Sequence, residues 1–369
     1  MDSRDTASVR LLTPSTWSRG IIAENETWEG FPYTRVGTFF SELEFQRYKV
    51  NSVLKELLAD VDIIQVVSGS AASANAVIGT GKPISLQVAT RARVERRCRD
   101  ASVRSPLDWW RRAMTEITDH YDNRALLRCH AIQVENSWMF DYVRKLNRNR
   151  SVDVRNAPPG VDHHLFHPAA ERDPESQPYI LCIGRLGDPR KRLELLGEAF
   201  VALAQRGDDM TKLVVAGKSA PPAGFWRLID ENGLRRRVTY LPEVSQTEIV
   251  TLYQQASVFA LPSDEEGLGV VILEAMACGA PVVSTRSGGP EGIISDGVDG
   301  ILVDRDDSSQ LAIGLERVLR ENGLNKAFSS AGRQKVLHNY SLDVTGQKFL
   351  DVWHSLLNKN NTSCKDRQF

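Results

Sequence analysis

Two glutamates flank a glycine turn, and their spacing is suited to binding sugar hydroxyls. Glu266 precedes Gly267-Leu268-Gly269, and Glu274 follows within an apolar segment. A carboxylate accepts two hydrogen bonds in one plane, which is the geometry of a ribose diol or of two neighbouring sugar hydroxyls. Glu266 has an alternative role as a stabiliser of a helix dipole, worth about 0.3–1 kcal/mol. An ionised Glu274 without a partner would be costly to bury, so it either has a protein partner or, as we expect, lines a site.

The elements around these glutamates are a strand followed by a helix. Ala256–Leu261 is apolar and ends at Pro262, which predicts a buried parallel strand. Val270–Cys278 predicts a helix that Gly279 closes and Pro281 stops. The unpaired amides and the positive dipole end of this helix would face the carboxyl edge of the strand. This arrangement favours the binding of a diphosphate.

Composition indicates an ordinary globular protein of two domains. The length of 369 residues exceeds one typical core. A net charge of −1 gives no general argument for nucleic acid. The five scattered cysteines include no C-x-x-C motif, which predicts reduced thiols and neither a disulfide framework nor a zinc site. No secretory signal is visible, and no apolar run reaches the about 20 residues of a membrane span, so we expect a cytoplasmic protein.

The two glutamates belong to a longer pattern that resembles a known enzyme family. Glu274 is followed by Ala-Met-Ala-Cys-Gly-Ala-Pro-Val-Val, then by a Gly-Gly-Pro-Glu turn at 288–291 and a hairpin from Asp296 to Val303. The E-x7-E spacing alone is a weak signal, but with these neighbours it resembles family-4 (group 1) retaining glycosyltransferases. The resemblance implies an α/β protein of the GT-B fold. Two Rossmann-like, doubly wound domains would face each other across a cleft, and a C-terminal helix would cross back to the first domain.

The alternation of strands and helices agrees with two α/β domains. The predicted boundaries are 1–160 for an N-terminal acceptor-side domain and 161–340 for a nucleotide-sugar-binding domain, with 341–369 as crossing helix and tail. Predicted elements of the first domain are a helical Leu43–Leu58 and strands at Asp62–Val67, Pro83–Val88 and Ala131–Val134. Those of the second are strands at Tyr179–Gly184, Lys212–Gly217 and Val238–Leu241, before the strand and helix described above.

The first domain departs from the family pattern at two places. Val9–Leu12 predicts a weak first strand, but only Gly20 remains of the glycine-rich loop that the family usually has there. After the strand Pro83–Val88 the family often has a histidine near the donor sugar. Here that role is unfilled, or it is taken by Thr90 or Arg91.

Residues 91–112 carry eight arginines against three acidic residues, with Trp109 and Trp110 among them. One interpretation is a solvated helix face with aromatic anchors in the core. The other is a basic surface for an anionic acceptor or for anionic headgroups, which would place the protein peripherally on the inner face of a membrane. Nucleic acid is disfavoured, because no groove-binding motif or aromatic platform accompanies the patch. His163, His164 and His167 match a linker signature, so we predict no metal site.

The resemblance implies a role for each residue of a donor site. Arg185 and Lys191 would bind the diphosphate, although a spacing one residue longer than usual leaves Arg190 as a rival to Lys191. A departing pyrophosphate gains charge, which fixed cations stabilise. The other implied contacts are Glu274 on the ribose, Glu266 on the sugar hydroxyls, the amides of Gly267, Leu268 and Gly269 on donor oxygens, and Leu241 and Val244 near the base.

The implied reaction is retaining, metal-independent transfer of a hexose from a UDP-, GDP- or ADP-sugar to an acceptor hydroxyl, without a further cofactor. The acceptor would be a sugar, a lipid-linked molecule or a small molecule in glycan, glycolipid or glycoside biosynthesis. One alternative is another GT-B enzyme, a nucleotide-sugar epimerase or a phosphorylase. The other is a relative that binds a nucleotide sugar without turnover. The donor base, the sugar, the acceptor and the oligomeric state are left open by the sequence.

Overall fold

The computed structural model describes residues 23–28, 30–38, 43–101, 105–170, 177–321 and 323–365. The predicted strand at Val9–Leu12 and the loop at Gly20 lie outside these ranges. The chain forms two compact units. Unit 1 comprises Met1–Val134, Met139–Ala157 and Phe349–Phe369, and unit 2 comprises Glu135–Trp138 and Pro158–Lys348.

Unit 1 contains a parallel sheet and a separate hairpin. The sheet has the order β3-β4-β5-β6, and β1 pairs with β2 in antiparallel fashion. The strands are β1 (Ala23–Trp28), β2 (Phe31–Val36), β3 (Ile64–Ser70), β4 (Ile84–Thr90), β5 (Ala131–Val134) and β6 (Asp153–Asn156). Strands β3, β4 and β5 coincide with the strands predicted from apolar runs of the sequence, whereas β6 is mostly polar. The hairpin was not predicted, because its second strand is mostly exposed and lacks an apolar alternation.

The helices of the N-terminal part are α1 (Ser52–Leu57), α2 (Ala92–Glu95), α3 (Arg97–Asp100), α4 (Pro106–Leu126) and α5 (Ser137–Leu146). A single helix over Leu43–Leu58 is wrong. The segment is a 3₁₀ turn at Glu44–Tyr48 followed by α1, which Asn51 caps by accepting a hydrogen bond from the Leu54 amide at 2.7 Å. Helix α4 begins with a capping box between Ser105 and Asp108.

The buried face of α4 contains polar as well as apolar side chains, and one of the polar side chains binds the segments that follow two strands. Asp122 is fully buried and accepts hydrogen bonds from the amides of Ala72 and Ala92, at 2.7 and 2.8 Å. Burial raises the pKa of this carboxyl to about 6, although the amide hydrogen bonds act in the opposite direction. The segments that follow β3 and β4 are therefore held by one side chain.

Unit 2 contains a six-stranded parallel sheet in the order β12-β11-β10-β7-β8-β9. Its strands are β7 (Tyr179–Ile183), β8 (Lys212–Ala216), β9 (Val238–Leu241), β10 (Val258–Leu261), β11 (Val282–Thr285) and β12 (Ile301–Val303). The chain adds β8 and β9 on one side of β7, then returns to add β10, β11 and β12 on the other. The topological switch point therefore lies between β7 and β10, where doubly wound folds bind ligands.

Helices cover both faces of this sheet. They are α6 (Leu193–Gln205), α7 (Ala223–Glu231), α8 (Gln246–Gln255), α9 (Val270–Ala277), α10 (Pro290–Ile293), α11 (Ser308–Arg320) and α12 (Leu324–Asn339), with 3₁₀ turns at Pro189–Lys191 and Arg235–Arg237. One apolar core packs α6, α7 and α11 against the sheet, and a second packs α8, α9 and α12. Two covered faces explain why the strands are continuous apolar runs.

The last helix, α13 (Leu342–Lys365), supplies side chains to unit 1 from residue 349 onwards. Val352 and Leu356 pack with Ala131, and the Trp353 indole donates a hydrogen bond to Gln65 at 2.8 Å. Among the described residues, no helix combines the length and the apolar character that crossing a membrane requires.

Candidate functional site

The carboxyl ends of β7 and β10 meet at the switch point of unit 2, and the predicted charged residues follow both strands. We call Arg185, Lys191, Ser263, Glu266 and Glu274 the candidate donor site. The strand ends on the neighbouring side are unusually close, because a Cβ at Gly217 would lie 1.9 Å from the Gly184 carbonyl oxygen. Glycine is therefore required where β7 and β8 end.

Lys191 and Glu266 form the centre of the candidate donor site. The Lys191 ammonium lies 2.5 Å from Glu266 Oε1, and the Ser263 hydroxyl donates to the same oxygen at 2.6 Å. The two charged side chains are only 18% and 10% exposed. Lys191 is carried by the 3₁₀ turn Pro189–Lys191, which Asp188 caps. A lysine and a glutamate predicted from separate motifs are thus in direct contact.

Arg185, predicted to bind the diphosphate, and Arg190, the rival to Lys191, have different environments. Arg185 is 60% exposed and lies 3.5 Å from Asp188. Arg190 is 17% exposed, donates to Asp188 at 2.9 Å and lies 3.9 Å from Glu265. Burial opposes the ionisation of Asp188, but the hydrogen bonds from Arg190 outweigh it, so the pKa of this carboxyl lies below its usual value. Arg190 is therefore held within the loop, whereas Arg185 extends into solvent.

Glu274 is half-buried in α9, and it has a protein partner. The fully buried Tyr253 hydroxyl of α8 donates a hydrogen bond to Glu274 Oε2 at 2.9 Å. Burial raises the pKa of Glu274, and the tyrosine hydrogen bond partly offsets this. Burial and the neighbouring carboxylate also raise the pKa of Tyr253 well above its ordinary value. Sequence reasoning missed Tyr253, because nothing in α8 links it to the motif of α9.

The Gly-Gly-Pro-Glu motif braces the turn that carries Glu266. The Glu266 amide donates to the Ser287 carbonyl at 2.9 Å, and the Gly289 amide donates to the Glu266 carbonyl at 3.0 Å. A Cβ at Gly289 would lie 2.4 Å from the Leu268 carbonyl oxygen. The Gly288 amide donates to Glu291 Oε2 at 2.8 Å, which fixes the motif itself.

The predicted backbone donors lie directly before α9. Gly269 is left-handed, with φ of 87°, and precedes the first helical residue, while Leu268 is buried. The Gly267 carbonyl accepts a hydrogen bond from the Asn136 side chain at 2.5 Å. Asn136 was missed as a contact, although its place directly beyond the predicted strand Ala131–Val134 was a usable signal.

The residues predicted near the nucleotide base follow β9. Leu241 is the last residue of that strand and is half-buried, as is Val244. Ser245 then caps α8 through a capping box with Glu248. Leu241 and Val244 thus lie beyond the carboxyl end of β9, in the same sheet as the switch point.

Glu135, which follows β5, was also missed. It is half-buried, and burial raises its pKa to about 7. The strand-end rule that selects residues beyond β7 and β10 also selects this position. We name it as a titratable group beside Asn136 and assign it no role in the reaction.

Three arginines of the segment 91–112 form ion pairs with carboxylates outside it. Arg91 contacts Asp119 at 2.5 Å, Arg93 contacts Glu116 at 2.6 Å, and Arg96 contacts Glu44 at 2.8 Å. The local excess of five charges counted from the sequence is thus reduced by partners that are distant in the chain.

The tryptophans of this segment and the residues at its start differ in their exposure to solvent. Trp109 and Trp110 are 65% and 48% exposed, so they are not core anchors. Arg91, named as a substitute for the family histidine, lies against the Tyr142 ring at 4.1 Å besides its ion pair, and Thr90 is buried. Among the described residues, no group of three or more His, Cys, Asp or Glu side chains could hold a metal ion.

Solved structures of similar shape define the fold class. The chain superposes on sucrose-phosphate synthase from Thermosynechococcus elongatus with a TM-score of 0.73 and 22% identity, over 92% of this chain and 86% of that one. Anabaena HepE in complex with UDP and glucose gives a TM-score of 0.64 and 16% identity, over 82% and 81%. These likenesses show the GT-B fold.

Comparison of the sequence agrees with this fold class. Residues 166–335 match the family described as glycosyl transferases group 1. It is 34% identical over 229 residues to the D-inositol 3-phosphate glycosyltransferase of Salinispora tropica, covering 56% of this chain and 47% of that protein. The Mycobacterium leprae protein of the same name is 34% identical over 213 residues, covering 54% and 48%. The chain thus spans about half the length of these relatives.

Proposed function

We propose that this protein is a glycosyltransferase that moves a sugar from a nucleotide-diphosphate sugar to an acceptor hydroxyl. The observation that carries the proposal is the contact of Lys191 with Glu266 beyond the carboxyl ends of β7 and β10. A cation for a diphosphate and a carboxylate for sugar hydroxyls lie side by side at the switch point of a doubly wound sheet. The group 1 family match over 166–335 includes both residues.

The donor would be oriented along the strand ends. Glu274, held by Tyr253, accepts hydrogen bonds from the ribose hydroxyls. Leu241 and Val244 pack near the base. The amides of Gly267, Leu268 and Gly269 meet donor oxygens at the start of α9, where the dipole favours negative charge.

The proposed chemistry retains the anomeric configuration. The bond between the anomeric carbon and the diphosphate oxygen breaks, and the acceptor oxygen bonds to that carbon on the same face. The departing phosphate oxygen takes the acceptor proton. Arg185 and Lys191 stabilise the charge that develops on the diphosphate, which supports a reaction that needs no metal. Glu266 holds hydroxyls of the transferred hexose.

The donor can be identified by thermal shift. UDP-, GDP- and ADP-glucose, each with its free nucleoside diphosphate, should be screened against the purified chain. UDP-glucose is the first probe, because HepE, a structural neighbour, has been crystallised with UDP and glucose. We expect one base to raise the melting temperature. No shift with any nucleoside diphosphate would contradict a donor site here.

The acceptor belongs to the same proposal. We expect a sugar, a lipid-linked molecule or a small molecule with a free hydroxyl. NMR of the anomeric proton of the product, compared with that of the donor, tests retention. Activity in excess chelator tests metal independence, and a loss that magnesium restores would contradict it. A product that is an epimerised nucleotide sugar would favour the alternative reaction.

Peripheral contact with an anionic membrane is a second proposal, and it rests on tryptophans more than on arginines. Leu107, Trp109 and Trp110 are exposed in the first turns of α4, with Arg111 and Arg112 directly after them. Tryptophan rings and arginines suit the headgroup region. Co-sedimentation with anionic vesicles should fall when both tryptophans become serine. Equal sedimentation of the variant and the wild type would contradict it.

A further inference from the structure

A second cluster of positive charge lies in unit 1, at the edge of the sheet where the strands begin. Arg144, Asn147, Arg148 and Arg150 line a pocket of about 430 Å³ together with Val152, Asp153 and Val154. We call these four polar residues, Arg144, Asn147, Arg148 and Arg150, the basic pocket. Arg144 is in the last turn of α5, and Asp153 begins β6. The pocket therefore lies at the opposite edge of this sheet from Thr90, the last residue of β4.

The three arginines of the basic pocket lack carboxylate partners. Among the described residues, no carboxylate lies within 4.0 Å of Arg144, Arg148 or Arg150. Asp153 lines the pocket, but it is occupied by Arg155, which binds both of its carboxylate oxygens. All three arginines are exposed, so an incoming anion can reach them. The described carboxylates therefore leave their charges without a direct ion pair.

One of these arginines is held in place by a buried polar side chain. Asn147 is 3% exposed and donates to the carbonyls of Leu126 and Val143 at 3.2 and 3.1 Å. Its side-chain oxygen accepts a hydrogen bond from Arg150 at 3.0 Å. Arg150 is thus positioned by a fixed amide, although a solvated arginine would need no such support.

The positive charge of Arg150 in the basic pocket also affects a neighbouring histidine. His130 precedes β5, and its Nδ1 accepts a hydrogen bond from the Ile84 amide at 3.1 Å. Burial lowers the pKa of His130, and the positive charge of Arg150 lowers it further. The imidazole therefore favours its neutral form.

We propose that the basic pocket binds a small anion that carries phosphate groups. Guanidinium groups match phosphate oxygens through paired hydrogen bonds. A volume of about 430 Å³ falls in the range of roughly 300–1,000 Å³ that is usual for small-molecule sites. It accommodates more than a single phosphate, so a diphosphate or a phosphorylated sugar is the expected class. This site is not part of the proposed donor site and does not depend on it.

Calorimetric titration with inorganic pyrophosphate tests the proposal. The full chain should carry Lys191→Ala, so that binding at the candidate donor site does not dominate the signal. We expect Arg148→Ser in this background to weaken pyrophosphate binding at least about tenfold, the loss of one charge-assisted hydrogen bond. Arg93→Ser is the matched control, because it removes one exposed arginine of unit 1 that is already paired with Glu116.

The comparison of Arg148→Ser with Arg93→Ser decides whether pyrophosphate binds at the basic pocket. Weaker binding with Arg148→Ser and unchanged binding with Arg93→Ser would support the site. Equal pyrophosphate binding by both variants, or none in the parent at low salt, would rule out a free anion as the ligand. Arg150→Ser gives a second arm if Arg148→Ser alters the melting temperature.

The phosphate group could also belong to a lipid, so a vesicle arm distinguishes the source. Phosphatidylglycerol vesicles should be compared with phosphatidylcholine vesicles, each with and without Arg148→Ser. Dependence on Arg148 in the vesicle arm and not in the pyrophosphate arm assigns a lipid headgroup. The reverse assigns a free anion, and dependence in neither arm overturns the proposal.

Discussion

The candidate donor site of unit 2 and the basic pocket of unit 1 hold positive charge in opposite ways. In the donor site, Lys191 lies against Glu266, and Arg190 lies against Asp188. In the basic pocket, Arg148 and Arg150 have no carboxylate within ion-pair distance among the described residues. Paired charges keep a fixed geometry before any ligand arrives, which is what stabilisation of a developing charge requires. Unpaired charges attract anions over a longer range and respond to salt.

The arginine-rich segment 91–112 resembles the donor site in this respect. Arg91, Arg93 and Arg96 each have a carboxylate partner. The uncompensated charge of this segment is therefore smaller than a count along the sequence indicates. The segment 144–150 has fewer arginines, but they line a pocket and have no carboxylate within 4.0 Å in the part of the chain that the structure describes.

The largest expected effect is on turnover at the paired site. Lys191→Ala and Arg185→Ala should each lower turnover by about tenfold to a thousandfold, because each removes a cation from the departing diphosphate. Steady-state rates with the donor found by thermal shift measure this. Arg206→Ala is the control, because it removes an arginine of the same unit that is paired with Glu316 on the surface.

The same assay decides between Lys191 and its neighbour. Arg190→Ala should retain more activity than Lys191→Ala, because Lys191 contacts Glu266 within the candidate donor site, whereas the partners of Arg190 lie outside that set of residues. A near-normal Lys191→Ala enzyme together with an inactive Arg190→Ala enzyme would reverse the assignment. The spacing in the loop after β7 would then have been misread.

Glu274→Gln should weaken nucleoside diphosphate binding by about tenfold or more, because it removes a charge-assisted grip on the ribose. Calorimetric titration measures the affinity. Tyr253→Phe removes only the hydroxyl that positions Glu274, so its loss of affinity should be smaller. Unchanged affinity in Glu274→Gln would mean that this carboxylate serves only the packing of α8 and α9.

A smaller effect is expected from Gly289, which belongs to the motif that holds the turn carrying Glu266. Gly289→Ala should lower the free energy of unfolding by about 1–3 kcal/mol, because the new methyl group would collide with the Leu268 carbonyl. Gly292→Ala is the matched control, since a Cβ there meets no atom within 4 Å. Urea denaturation compares the two. Equal stability would show that the turn relaxes without cost.

The pH dependence of stability is the smallest expected effect. The pKa of Asp122 is raised to about 6 and that of Glu135 to about 7. A carboxyl whose pKa is higher in the folded protein contributes stability that is complete below its unfolded value. That contribution is lost as pH rises through the folded value. Between about pH 4 and 7 these two groups should therefore reduce stability as pH rises.

Urea midpoints measured across this window test the sign. Glu135→Gln should flatten the upper part of the curve, since it removes the titration near pH 7. Glu56→Gln, at an exposed position of α1 in unit 1, changes the same charge and should leave the curve unchanged. If the urea midpoints of Glu135→Gln follow the same pH dependence as those of the wild type, the Glu135 carboxyl is exposed to water and its pKa is not raised.

The sequence predicted unit 2 better than unit 1, and the reason is physical. In a parallel sheet the carboxyl ends of all strands share one edge, so residues after apolar runs converge. The family resemblance selected Lys191 and Glu266 from separate motifs, and this rule explains why the two residues meet. It could not reveal Tyr253, whose partner is on another helix, or the hairpin β1–β2, whose strands carry no apolar alternation.

Ion pairs between distant parts of the chain were a second feature that the sequence could not predict. The partners of Arg91 and Arg96, Asp119 and Glu44, are separated from them by 28 and 52 positions. Local composition does not contain such pairs. The basic pocket was not predicted either, because a sequence does not show that an arginine lacks a nearby carboxylate. Arg148 has none within 4.0 Å among the described residues.

We propose that the charged residues beyond β7 and β10 form the donor site and that the basic pocket does not. The direct test is a titration of the nucleoside diphosphate that gives the largest thermal shift, with wild type, Lys191→Ala and Arg148→Ser compared under one salt condition. We expect Lys191→Ala to weaken binding at least about tenfold and Arg148→Ser to leave it unchanged. Binding that survives in Lys191→Ala and is lost in Arg148→Ser would show that the donor site has been assigned to the wrong residues.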